Sequence, residues 1–289
     1  MSATLRASVL AWAAAAAVLA ITPADAQTFH RAKSNSIDIK YGEPKSPGHQ
    51  PVLKLLKEAR ALEKIRELLS PLRLPQRLLL QTQGCDGISN AWYDGESVTV
   101  CYEYLDEIWK NAPDKTTPTG IAPIDTLAGP MADVFFHEAG HAIFDILQIP
   151  LFGREEDAAD QFSTYLMLRF EKDEARRLIL GSAYQYKGDL SSPTVTMTQQ
   201  KFADEHGTPS QRFYNLLCIA YGSDPKLFAD VVDKGFLPKD RAEGCENEYS
   251  QVVFAFEKLI VPHVDRKAVR KLKRPWLAPV TTKAKRWRT

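Results

Sequence analysis

The chain has 289 residues, of which 44% are hydrophobic and 25% are charged, and its formal net charge at pH 7 is +1. These values are typical of a folded globular protein and exclude an intrinsically disordered or fibrous chain. A chain of this length can bury a core that is stable without a metal, so a metal site in it would serve function rather than folding.

The first 26 residues have the pattern of a secretory signal peptide. Arg6 precedes an apolar, alanine-rich run over residues 9–21, and small residues follow at 24–26. The run is shorter than the roughly 20 residues that a membrane-spanning helix needs. We therefore predict cleavage before Gln27 and export of the mature chain to the periplasm or the medium.

The remaining chain divides into an arm, a domain and a tail. Residues 27–50 contain Pro and Gly but few large apolar residues, so we expect a flexible N-terminal arm. One domain follows over residues 51–264. Residues 265–289 form a basic tail with ten Lys and Arg against one Asp, whereas the preceding mature chain carries a net charge of −8. Such a tail can contact an anionic membrane or polymer, although a solvated terminus is equally consistent with it.

The sequence of the domain predicts mostly helices. Apolar residues recur at three-to-four spacing over residues 51–70, which indicates an amphipathic helix that serves packing. Two strand-like runs flank Asp94-Gly95, a dipeptide that favours a hairpin turn. We therefore predict an α+β fold, mainly helical, with a small antiparallel sheet or hairpin. The further helices are predicted over residues 129–147, 154–170, 208–222, 224–235 and 249–260.

Four cysteines in an exported chain indicate disulfides. Three pairings are possible, and because the cysteines fall into two groups along the chain we favour Cys85 with Cys101 and Cys218 with Cys245. Neither pair has CxxC spacing, which argues against a zinc ribbon or a thioredoxin-type redox site.

His137, Glu138 and His141 form an HExxH motif within the helix predicted over residues 129–147. A spacing of four residues puts the two imidazoles on one helix face, where both can ligate a single Zn2+. Glu138 then lies beside the metal and can accept a proton from the attacking water. A histidine pair without a metal is the structural alternative for this motif, so the surrounding residues have to decide.

A third ligand is expected from the acidic start of the next helix. Glu156 lies 15 residues after His141, and a carboxylate from a neighbouring antiparallel helix would complete a catalytic site of three protein ligands. Asp160 lies one turn later on the same face, where it can accept the outward N–H of a metal-binding histidine. We favour Glu156 as the ligand over its rival Glu155, while the alternative for the whole cluster is a favourable charge at a helix N-terminus.

HEAGH followed by ExxAD resembles the gluzincin arrangement of the membrane-associated CAAX-processing and heat-shock metallopeptidases. In those families the Glu of ExxAD is the third zinc ligand and its Asp supports a ligand, which implies these roles for Glu156 and Asp160. They also carry a His followed six residues later by an Arg, both facing the substrate oxyanion. His206 and Arg212 have this spacing, although Gly207 stands where those families have proline. The structural alternatives are a helix-capping or surface histidine for His206 and an ion pair for Arg212.

The chain lacks the transmembrane helices of those families, and its gap between His141 and Glu156 is shorter than theirs. Its motifs, its hairpin between two cysteines and its Cys218 helix together are more similar to a family of exported bacterial metallopeptidases. This resemblance covers about residues 51–262. It implies zinc and a zincin-like fold, but it does not indicate a substrate.

The sequence thus predicts a zinc metallopeptidase acting on a peptide or protein, with Glu138 as general base and His206 with Arg212 at the oxyanion. Residues 90–93 could pair with an extended substrate, or their aromatic side chains could simply pack in the sheet. No nucleic-acid partner is expected. The alternatives are a catalytically silent protein docking to an anionic surface, against which the intact Glu138 argues, and a zinc hydrolase of a non-peptide bond.

Overall fold

A computed structural model describes residues 36–186 and 203–270. The predicted signal peptide lies outside the described residues, as does most of the predicted basic tail. The described residues form four strands, eleven α-helices and two short 3-10 helices, Pro47–His49 and Val261–His263. The strands are β1 (Ile37–Tyr41), β2 (Leu78–Gln83), β3 (Ala91–Tyr93) and β4 (Ser97–Cys101). The helices are α1 (Gln50–Ala59), α2 (Ala61–Leu69), α3 (Tyr102–Lys110), α4 (Asp125–Ile146), α5 (Glu155–Met167), α6 (Lys172–Gln185), α7 (Pro209–Ser223), α8 (Ala229–Asp233), α9 (Lys239–Ala242), α10 (Cys245–Leu259) and α11 (Arg266–Val269).

The four strands form one mixed sheet in the order β1-β2-β4-β3. β3 and β4 are the predicted antiparallel hairpin, with Ala91 opposite Val100. The prediction of a small antiparallel sheet is wrong for the other two strand pairs, because β2 pairs in parallel with both β1 and β4. Parallel pairs need long crossover connections, and α1 with α2 provides one of them. The fold is therefore α+β and mainly helical, with a sheet of mixed direction.

The segment that includes β1 corrects the predicted N-terminal arm. A loosely held arm was expected over residues 27–50, but Ile37–Tyr41 forms a strand whose first residue is buried and opposite Leu78. Apolar residues alternate along this strand, which a strand with one face on the core requires. The pattern is short and lies beside a Pro- and Gly-containing stretch, so it did not stand out in the sequence.

The helix predicted over residues 51–70 is two helices. Arg60 adopts the left-handed conformation, with φ of 53°, and ends α1 where α2 begins. Both helices bury their apolar faces, including Leu56, Leu62 and Ile65. The apolar period continues through the break, so the amphipathic pattern alone could not locate it.

The C-terminal part of the described chain is anchored to the domain. The amide of Asp265 donates to the carbonyl of Pro71, and Val264 forms a bridge with Leu72. Asp265 also caps the short helix α11 through the amides of Lys267 and Ala268. The predicted boundary between domain and tail at 264–265 therefore falls inside an ordered segment.

Both predicted disulfides are present, Cys85–Cys101 and Cys218–Cys245. The first joins the approach of the hairpin to the end of β4, and the second joins α7 to the start of α10. Two disulfides indicate an oxidising compartment. Across residues 36–186 and 203–270, none of the helices is both long enough and apolar enough for a membrane span.

Helix α4 is the centre of the fold. It contacts β3 and β4 on one side and α5 and α6 on the other, and nearly all its residues are buried. Its crossing with α6 is close because Gly129 of α4 meets Gly181 of α6. A Cβ atom on Gly181 would lie 2.0 Å from the carbonyl oxygen of Asp125, a distance that backbone atoms cannot accommodate without moving.

Replacing Gly181 by Ala is expected to lower the free energy of unfolding by about 1–3 kcal/mol, as overpacking of a core does. The clash outweighs the gain of about 1 kcal/mol that alanine brings to a helix. Urea unfolding followed by circular dichroism measures the difference. Gly48→Ala is the control, because a Cβ there meets only the Ser46 hydroxyl at 3.5 Å. Equal stability of the two variants would contradict the close crossing.

Candidate metal centre

The candidate site is built on the contact between α4 and α5. The two helices run antiparallel, and the first part of α5 lies against the HExxH turn of α4. Gly140 lets them approach, since a Cβ there would lie 3.4 Å from the Cα of Ala159. The small residues of both motifs thus bring the acidic start of α5 to the two histidines.

Four side chains direct one atom each to a common centre, namely His137, His141, Glu156 and His206. The Nε2 atoms of His137 and His141 are 3.2 Å apart, and they lie 3.0 and 3.4 Å from Oε2 of Glu156. Ligands bound to zinc at about 2.0–2.1 Å in a tetrahedron are separated by about 3.3–3.4 Å. The three separations of His137, His141 and Glu156 are close to these values, and two imidazoles with one carboxylate are a donor set that catalytic zinc sites use.

The opposite ring nitrogens are held by two other carboxylates. Nδ1 of His137 lies 2.8 Å from Oδ1 of Asp160, as the sequence predicts, and Nδ1 of His141 lies 2.8 Å from Oε1 of Glu155. A carboxylate at Nδ1 keeps the proton on that nitrogen and leaves Nε2 free as a ligand atom. Glu155, the rival third ligand, therefore contacts the back of His141 while Glu156 faces the centre.

The charges of the site favour a cation at its centre. Burial alone would lower the pKa of His137, but the carboxylates of Asp160 and Glu156 outweigh it and raise the pKa to about 9. Burial would raise the pKa of the Glu156 carboxyl, but hydrogen bonds from His137, His141 and His206 hold it well below its usual range. A divalent cation can balance the same carboxylates while the imidazoles stay neutral.

Glu138 lies in the same cleft, buried to 9% exposure, next to the metal-facing histidines. Burial raises the pKa of its carboxyl, and the nearby histidines act in the opposite direction. A carboxylate with a raised pKa is a better proton acceptor from water than an ordinary one. Glu138 therefore lies, buried and beside the histidines, where the sequence predicts a general base.

His206 and Arg212 both reach the site, but they contact different residues. Nε2 of His206 lies 2.8 Å from Oε2 of Glu156, the oxygen that also faces His137 and His141, and the side chain is 45% exposed to the cleft. The guanidinium of Arg212 donates to both oxygens of Asp160, at 2.8 and 2.6 Å. His206 thus lies at the centre, whereas the immediate partner of Arg212 is the carboxylate behind His137.

The position of these two residues follows from the start of α7. Thr208 and Gln211 form a capping box, in which each side chain bonds the backbone of the other, and Pro209 occupies the first turn. This cap fixes where α7 begins. His206 lies just before Thr208 in the chain, so the cap also fixes the position of His206. The Arg212 side chain projects from the first turn towards α5.

A cleft of about 410 Å³ contains the site. Strand β3 borders it as an edge strand of the sheet. Tyr93 ties this strand to α4 through a 2.9 Å hydrogen bond to Asp145. The lining residues that the sequence reading missed are Tyr104, Asp133, Val134 and Gln185. Asp133 and Val134 lie one turn before His137 on α4, so their spacing from His137 could have predicted that they line the same cleft. No pattern in the sequence around Tyr104 or Gln185 indicates that they reach the site.

The family model DUF4344, described as "Putative metallopeptidase", matches residues 41–260. No curated protein and no solved structure matches the chain. The matched region includes every residue of the candidate site, from Asn90 to Arg212. Since the match spans most of the chain, the protein belongs to the DUF4344 family of metallopeptidase-like proteins.

Proposed function

We propose that this protein is a zinc-dependent peptidase of the gluzincin type with a zincin-like fold. The observation that carries the proposal is the triangle of side-chain atoms from His137, His141 and Glu156, whose edges are close to those of a tetrahedral zinc site. The family description supports a peptidase in general terms. Zinc, the ligand set and the mechanism are our inferences from the side chains.

Each side chain has a role in this proposal. Bound zinc would supply a Lewis acid that polarises the scissile carbonyl and makes water more acidic. Glu138 accepts the proton of the attacking water and later delivers it to the leaving amine. His206, on the cleft side of Glu156, donates to the oxyanion of the tetrahedral intermediate. A catalytically silent binding protein would not need the Glu138 carboxylate, so the presence of this residue argues against that alternative.

We propose for Arg212 a different role from the one that the resemblance implies. Two of the five guanidinium N–H donors of Arg212 bond to Asp160, whose carboxylate in turn holds Nδ1 of His137. Bidentate pairing of this kind fixes the carboxylate in position. We therefore propose that Arg212 orients His137 through Asp160. His206 is then the residue that we propose as hydrogen-bond donor to the oxyanion.

The edge strand β3 offers a binding site for an extended peptide. The amide of Asp94 bonds the carbonyl of Ser97, and the amide of Cys101 bonds the carbonyl of Asn90. In an antiparallel ladder, bonded and non-bonded pairs alternate, so the backbone groups of Ala91 and Tyr93 point to the open edge. A substrate can add to this edge as a strand, with its scissile bond in the cleft.

We also infer that the protein acts outside the cytoplasm, because its two disulfides require an oxidising compartment. The predicted signal peptide agrees with this inference. An unfolded protein is a suitable substrate there, since it supplies extended backbone for the edge of β3.

Cleavage of a fluorescently labelled unfolded protein tests the proposed function. The purified mature chain should cleave it, a chelator should abolish cleavage, and stoichiometric zinc should restore it. Hydrolysis that is unaffected by the chelator, or cleavage of an ester but of no peptide bond by the zinc-loaded protein, would contradict the proposal.

A further inference from the structure

The contact between α4 and α5 is a polar seam with an antiparallel register. Each pair of contacting residues lies about one turn closer to the N-terminus of α4, and about one turn closer to the C-terminus of α5, than the pair before it. The pairs are His141 with Glu155, His137 with Asp160, and Asp133 with Ser163. Two of these pairs hold the proposed metal ligands, and the third contains a buried carboxylate that the proposed mechanism does not use.

Asp133 has a hydrogen bond from each of two other helices. The hydroxyl of Ser163 on α5 donates to Oδ1 at 2.6 Å, and the hydroxyl of Ser182 on α6 donates to Oδ2. Ser163 also reaches the backbone carbonyl of Asp133 at 3.0 Å. The carboxylate is 7% exposed and both serines are completely buried. Asp133 therefore joins α4, α5 and α6 at one point.

This point lies one turn from the proposed metal ligand His137 on α4 and one turn from Asp160 on α5. A slip of one residue between the helices rotates the facing side chains by about 100°. Such a slip would separate Nδ1 of His137 from Asp160 and move Glu156 from the centre. A buried hydrogen-bonded carboxylate resists a slip because its displacement would leave it without donors.

We propose that Asp133 is a positioning residue that fixes the register of α4 against α5 and thereby holds the zinc ligands in their tetrahedral arrangement. This inference rests on the proposed zinc site. It assigns Asp133 a role in metal affinity, beyond the contribution to stability that any buried hydrogen-bonded carboxylate makes.

The test is the dissociation constant of zinc, measured on the metal-free full mature chain by competition with a chromophoric chelator. Asp133→Ala is expected to weaken zinc binding by about tenfold or more, in the range found when a group that supports a metal ligand is removed. Asp133→Asn should recover much of the affinity, because its amide oxygen can still accept from Ser163.

Asp125→Ala is the matched control. Asp125 is also a buried carboxylate of α4, 2% exposed and paired with Arg177 of α6 at 2.7 Å, but it lies three turns before His137. Thermal unfolding of the metal-free variants should show that both alanine variants lose stability. Only Asp133→Ala should lose zinc affinity, and Asp125→Ala should stay within about threefold of the original chain.

Each result has a defined meaning. Zinc affinity for Asp133→Ala equal to that of Asp125→Ala overturns the inference and leaves the zinc site intact. Absence of zinc binding by the original chain overturns the proposed function and this inference with it. If Asp133→Ala does not fold, Ser163→Ala and Ser182→Ala replace it, each removing one donor, and unchanged zinc affinity in both overturns the inference.

Discussion

Replacing Glu138 by Gln is expected to reduce the turnover of peptide hydrolysis by at least about a hundredfold while zinc still binds with near-original stoichiometry. The amide has nearly the shape of the carboxylate but cannot accept the proton of water. The contacts between Nε2 of His137, Nε2 of His141 and Oε2 of Glu156, the proposed zinc ligands, do not involve this side chain. Zinc content and initial rates, measured on the same preparation, check the two expectations together.

Glu58→Gln is the control for this substitution, because Glu58 is a half-exposed glutamate on α1 whose ion-pair partner is Lys54. It should retain both zinc and activity. Full activity of Glu138→Gln would rule out Glu138 as the general base. Loss of zinc from Glu138→Gln would mean instead that the side chain supports the metal site.

The second large effect is expected at Glu156. Its Oε2 lies within 3.4 Å of a nitrogen of His137, His141 and His206, so Glu156→Ala removes the carboxylate that the three imidazoles share. We expect this variant to lose zinc, with an affinity reduced by more than the 10–100-fold typical when a group supporting a ligand is lost.

Glu155→Ala is the comparison for Glu156→Ala, since the two residues are adjacent and both are glutamates at the start of α5. Among the described residues, the ion-pair partner of Glu155 is Nδ1 of His141, and the side chain is 52% exposed, so its loss should weaken zinc binding by about tenfold or less. Equilibrium dialysis against buffered zinc measures both constants. A larger loss for Glu155→Ala than for Glu156→Ala would exchange the roles of the two residues.

More of the candidate site than of the fold could be predicted from the sequence, because the motifs of the site are short stretches of adjacent residues. The spacing within HExxH places two imidazoles on one helix face, and ExxAD places two carboxylates one turn apart. Glu155 and Glu156 are adjacent and differ by about 100° of helix rotation, so only the packing of α5 on α4 decides which one faces the centre. The packing of α7 on α5 likewise turns Arg212 towards Asp160.

The features that sequence reading missed depend on long-range contacts. Strand β1 is five residues long and gains its stability from pairing with β2, which begins 37 residues later. Asp133 stands among apolar residues of α4, and its importance lies in Ser163 and Ser182 on two other helices. Both cases concern partners that periodicity along one element cannot identify.

Anomalous diffraction at the zinc absorption edge, from crystals of the mature chain grown with zinc, tests the central claim most directly. We expect one strong peak about 2.0–2.2 Å from Nε2 of His137, Nε2 of His141 and a carboxylate oxygen of Glu156. A peak bound by Glu155 in place of Glu156, or no peak between α4 and α5 in zinc-saturated crystals, would contradict the account.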